Sequence, residues 1–468
     1  MVSLYVRAVS AAAAVLMAAT LQAPTAWAID PPVIPADPLI PDDPPPAPDQ
    51  AMQQREPCSL PGVLPTPPVT DIPPAQAMLN IDQAHKFSTG KGVTVAVIGT
   101  GVAPNPRLPR LQGGGDYVAD TDGLVDCDMH ETLVASIIGG QRAPGDQFVG
   151  VAPDVSLISI RQSSTHFSPE RPERVPGQSP SQVEAAGKID ALAAAIVRAA
   201  NMGAKVINMS VVACVPAAHP VDQSKLAIAV RYAAVVKDVL LVAAAGNVGA
   251  GNADCQSNPG YDPLSPDDER NWAHVVSVST PSWFADYVMS VAAVDTDGAA
   301  PDNANAAKFS MSGPWVDIAA PGVNTVALGP DGNPVNALPG RDGLVNIFGT
   351  SFSSAYVAGT AALVRSKFPE LSAAQVRRRL TQTAHAGPRG VDNSIGHGLI
   401  DPVAALTYEM TDPGPREIVE THRETLIVHP DPPPPDTRAH RWALAISAMV
   451  IVAVGVAARI IFSRRSSQ

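Results

Sequence analysis

Along the middle of the chain, short unbroken apolar runs alternate with longer stretches whose apolar residues recur at helical spacing. Val93 to Ile98, Val155 to Ile160, Val206 to Met209 and Val239 to Ala244 are largely β-branched or apolar throughout, the pattern of strands buried on both faces. Glu131 to Ile138, Val183 to Asn201, Lys225 to Val236 and Ser351 to Phe368 carry helical spacing, and Ser372 is placed to cap a further helix from Ala373 to Ala384. This alternation predicts an α/β fold, a mainly parallel sheet with helices on both faces. Ser163 to Gly187 interrupts it as a polar, proline-containing insertion, expected to form a surface loop near a substrate groove, and Val391 to Asp401 is a glycine-rich return that closes the domain.

The two ends lack this periodicity and divide the chain further. Residues 1–28 read as a secretory signal: Arg7 precedes an alanine-rich apolar stretch, and Ala26-Trp27-Ala28 fits a cleavage site. Residues 29–74 form a proline-rich, acidic extension that cannot pack as a domain by itself. Residues 75–407 hold the α/β domain, and 408–441 form a proline-rich stalk. Residues 442–462 are apolar over about the 20 residues a membrane helix needs, and 463–468, with Arg464 and Arg465, suit a cytoplasmic tail. The expected arrangement is a single-pass protein with its main domain outside the cell membrane.

Three small groups carry candidate chemistry. Ser351 sits in Gly349-Thr350-Ser351-Phe352, where a long apolar helix opens. Glycine allows a sharp turn there, and a helix N-terminus favours developing negative charge, as a hydroxyl nucleophile requires. His130 opens another helix and is the candidate base. Asn247 follows an apolar strand and a glycine; its amide, with the Ser351 backbone N–H, makes a candidate pair of oxyanion donors. Each signal is weak alone, since Asn-Val-Gly also suits a simple turn.

Together with Val93 to Gly101, Asp126 to Ala135 and Val206 to Ser210, these segments follow the order acid, histidine, oxyanion amide and serine, and resemble the subtilisin-like serine proteases from roughly Ile72 to Leu406. With the leader, the extension and the terminal span, the chain is similar to the mycosins, the subtilisin-like proteases attached to type VII secretion systems. The resemblance implies a serine endopeptidase domain over 75–407 and an extension that wraps it. It also implies a type VII membrane complex as partner. An extended peptide or secreted protein would be the substrate, paired along a cleft bordered by Ser210 and Val211. It pairs Cys58 with Cys127 and Cys214 with Cys255.

Two departures stand out. Where the family places an aspartate, Ile98-Gly99-Thr100-Gly101 has Gly99, so the acid position reads as vacant; where it has Gly-His-Gly-Thr, this chain has Met129-His130-Glu131-Thr132. Asp126, Asp128 and Glu131 stand near His130 in sequence. Adjacent side chains on a helix do not face each other, so Glu131 is expected to be a poor substitute, and Asp128 is expected to cap the helix. Losing the acid costs roughly 10⁴ in kcat in well-studied serine proteases. The expectation is therefore a weakened endopeptidase in which Gly99→Asp raises hydrolysis, provided Met129 and Glu131 do not block the site. The alternatives are a non-catalytic scaffold stabilising the secretion complex, or a tethered module that holds peptides without cutting them.

Composition adds little more. The net charge of −12 argues against nucleic acid as a partner. Four cysteines in an exported chain favour disulfides, with three connectivities open on count alone. No cofactor is expected, and no calcium or zinc spacing stands out.

Overall fold

A computed structural model describes residues 29–34, 40–172, 174–176, 179–249, 254–296, 306–388 and 390–418. The signal segment, the end of the stalk and the 442–462 span lie outside the described residues. No helix among the described residues is long and apolar enough to cross a membrane.

Seven strands form the central sheet in the order Val316–Pro321, Val288–Val294, Leu240–Ala244, Val206–Met209, Thr94–Gly99, Ser156–Arg161 and Leu111–Asp116, and every pairing is parallel. The four runs read as strands from sequence lie at its centre. Their residues are almost wholly buried, which an all-parallel sheet achieves only when both faces are covered. Helices His130–Gly139 and Thr350–Lys367 pack on each other and on the sheet, while Pro180–Asn201 and Ser224–Arg231 form a second packed pair. In Thr350–Lys367 every residue from Thr350 to Arg365 is buried, so the helix is enclosed on all sides. Ser372 caps Ala373–Gln382 with a reciprocal box to Gln375, as its sequence predicts.

The insertion after Ser163 is shorter than expected, because Ser179 caps a helix that already starts at Pro180. The rest of it is structural. Phe167–Pro169 pairs antiparallel with Met52–Gln54 of the N-terminal extension. The extension is held at further points along its described length. Asp43 accepts from Asn201 Nδ2 at 3.0 Å and lies 3.8 Å from Arg198. Pro46 packs so closely on Gly115 that a Cβ there would sit 2.6 Å from the Pro46 Cβ. Buried Asn336 donates to Leu64 O and Pro67 O, and accepts from the Leu64 N–H. Disulfides join Cys58 to Cys127 and Cys214 to Cys255.

Candidate active site

Three adjacent sheet strands end at the same edge, and each delivers one part of the site. Thr94–Gly99 ends at Gly99, Ser210 follows Val206–Met209, and Gly246-Asn247 follows Leu240–Ala244. Ligands of open parallel sheets bind at such carboxyl ends. The helices starting at His130 and Thr350 bring their N-termini to the same edge.

Ser351 is buried in the first turn of its helix, preceded by Gly349 at φ 147°, a conformation that favours glycine. Its backbone N–H has no carbonyl four residues back within the helix and is one of the donors a helix N-terminus leaves over. Its hydroxyl donates to Ser210 O at 2.9 Å and not to the imidazole. The Phe352 ring lies 5.4 Å from the His130 ring.

Asn247 is held by Thr350. Its Oδ1 accepts from the Thr350 N–H at 3.0 Å and the Thr350 hydroxyl at 3.1 Å, and the same hydroxyl accepts from the Gly246 N–H. Fixing the carboxamide by its oxygen settles where its donors lie. Nδ2 sits 3.7 Å from where a Gly349 Cβ would stand, next to the start of the Ser351 helix. Ser210 is more internal than a groove-lining residue: its hydroxyl accepts from Asn208 Nδ2 at 2.6 Å and its carbonyl is taken by Ser351. Val211, half-buried, belongs to the short unpaired stretch that follows.

The acid position is not vacant, which corrects the expectation from sequence. A Cβ placed on Gly99 would run into Glu131, meeting Oε1 first, with Cδ at 2.5 Å and Cγ at 2.6 Å. Gly99 is not among the glycines with positive φ, so space and not backbone conformation excludes a side chain there. The Glu131 carboxylate that fills the space lies 3.1 Å from His130 Nδ1 through Oε1. The glutamate is fully buried, whereas the His130 side chain is 24% exposed. The rule that neighbours on a helix do not meet fails here because both residues lie in the first turn. No preceding turn restricts their rotamers, and the glutamate arm folds under the ring.

The other two carboxylates are engaged elsewhere. Asp126, not Asp128, caps the helix: its Oδ2 accepts from the Thr132 N–H at 2.9 Å and the Thr132 hydroxyl at 2.7 Å, and its Oδ1 from the Asp128 N–H. Asp128 accepts from Ser164 and Thr165 and so pins the start of the insertion. Burial alone would hold the His130 imidazole down. The hydrogen bond and charge of Glu131, with the charges of Asp126 and Asp128, outweigh it and lift the imidazole above its ordinary 6.5. Burial pushes Glu131 upward too, against the pull of His130 and the Ser210 hydroxyl.

The chain matches the subtilase family, peptidase S8, over residues 90–398. It is 48% identical to Mycosin-3 of Mycobacterium tuberculosis over 462 residues, covering 97% of this chain and 97% of that protein. It is 46% identical to Mycosin-1 of Mycolicibacterium smegmatis, covering 95% and 96%. Among solved structures, crystalline MycP1 from Mycobacterium smegmatis is similar at a TM-score of 0.79 and 47% identity, covering 85% of this chain and 100% of that one. A chain of an intact ESX-5 inner membrane complex is similar at a TM-score of 0.77 and 46% identity, covering 92% and 98%.

Proposed function

Because the chain belongs to the mycosins, within the subtilase family, we propose that it is an exported serine endopeptidase of a type VII secretion membrane complex, held to the cell membrane by residues 442–462. The observation that carries the catalytic part is the Thr350 clamp on Asn247, which aims a fixed amide at the neighbourhood of Ser351. In this reading an extended peptide lies along the unpaired backbone after Ser210. Ser351 Oγ gives up its bond to Ser210 O, attacks the scissile carbonyl and passes its proton to His130 Nε2, the ring nitrogen that faces away from Glu131. The oxyanion is received by Asn247 Nδ2 and the Ser351 N–H. Collapse expels the amine with the proton from His130, and water then hydrolyses the acyl-enzyme by the same route.

One observation favours the scaffold alternative: the Ser351 hydroxyl rests on a carbonyl and not on the base. A fluorophosphonate probe separates the two readings. Labelling of the wild-type full chain at Ser351, lost in Ser351→Ala, is the expected result. A folded wild-type protein that takes no label is a scaffold and not a protease.

A further inference from the structure

We infer that Glu131 performs the task of the missing triad aspartate, as the positioning residue that orients His130 from a different point of the chain. The inference rests on the protease reading for its consequences in rate, but the contact on which it stands does not. Gly99, Met129 and Glu131 are the places where this chain departs from the family motifs, and in the structure Gly99 and Glu131 are one feature. The glutamate occupies the space that an aspartate at residue 99 would use, and glycine at 99 leaves that space open. Its carboxylate meets Nδ1 of His130, which leaves Nε2 for the serine. Asp126 and Asp128, the other acids near the ring, have their oxygens taken by Thr132, Ser164 and Thr165.

The task is a demanding one. An orienting carboxylate fixes the imidazole tautomer with hydrogen on Nδ1 and steadies the cation formed when the ring takes the serine proton. Glu131 is buried and engages one ring nitrogen with one oxygen. It sits in the first turn of its own helix, where the helix dipole favours the ionised carboxylate against the cost of burial. Ser210 completes the arrangement. Its carbonyl accepts from the hydroxyl of the nucleophile, and its own hydroxyl weighs toward the ionised glutamate.

The test uses the full chain in detergent, with two readouts: the rate and pH profile of Ser351 phosphonylation, and the titration of His130 followed by NMR of carbon-labelled histidine. Glu131→Gln keeps the shape and removes the charge. It should slow labelling by about 10³–10⁴-fold, as loss of the acid does in related chemistry. It should also move the His130 titration, and with it the acid limb of the profile, to lower pH. Gly99→Asp alone should not speed labelling, because two carboxylates would contend for one space. The exchange Gly99→Asp with Glu131→Gly should recover most of what either change loses. An unmoved His130 titration in Glu131→Gln overturns the inference, and so does a gain in rate from Gly99→Asp alone. If His130 responds as expected but no variant takes the probe at Ser351, the carboxylate–imidazole pair stands and the protease reading falls.

Discussion

Asn247 is fixed through one atom so that another can act. Thr350 holds its oxygen twice, which in the proposed reading leaves the amide hydrogens for an incoming oxyanion. Asn247→Ala should therefore lower kcat by about 10²–10³-fold with little change in KM, in steady-state assays on a peptide substrate. A matching rise in KM would mean that the amide serves ground-state binding instead. Single residues were unevenly legible in the sequence. His130, Ser351 and Asn247 could be put forward because each sits at the start or end of a periodic run and in the motif order of the resembled family, and the structure brings them to one sheet edge. Glu131 could not, because its reach depends on where the end of the Thr94–Gly99 strand passes its helix, and a spacing rule derived for helix interiors pointed the wrong way. The exchange of Asp126 for Asp128 as the cap is a related failure. Both precede the helix closely, and only the turn through left-handed Met129, at φ 61°, decides which carboxylate faces the N-terminus.

At the scale of the element, the helix start His130–Gly139 is held by a carboxyl that pays for its burial. Asp126 is pushed up to about 7, chiefly by desolvation and against hydrogen bonds from Thr132 and Thr100. The folded protein thus binds this proton more tightly than the unfolded chain, whose carboxyl keeps its ordinary 3.8. The stability it contributes is complete below that value and is lost as pH rises through about 7. Thermal melts should show stability falling across this window more steeply in the wild type than in Asp126→Asn, which does not titrate; parallel profiles would remove Asp126 from the account. The central strands were readable because burial on both faces leaves no polar alternation to confuse them. The edge strand Leu111–Asp116 was not, since its three consecutive glycines argue against a strand. They are there for close approach: side chains at Gly113 and Gly114 would strike Asp122, Ile158 and Ile160.

For the molecule as a whole, the described residues of the proline-rich extension are part of the folded body and not a spacer. Its composition excluded a domain of its own, but could not disclose the strand pairing, the Asn336 clasp or the Asp43 contacts, all supplied by distant residues. The opposite end belongs to the membrane in the proposed reading. Deleting the chain from Trp442 should move the protein from the membrane fraction to the soluble one, followed by fractionation and immunoblot; retention would place the attachment elsewhere. The bond between Cys58 and Cys127 has a topological consequence of its own. It closes a ring of backbone that contains Gly99 and ends just before His130. A single scission anywhere inside that ring yields two polypeptides that still migrate as one until a reductant parts them, so one cut alone cannot shed the segment lying beside His130.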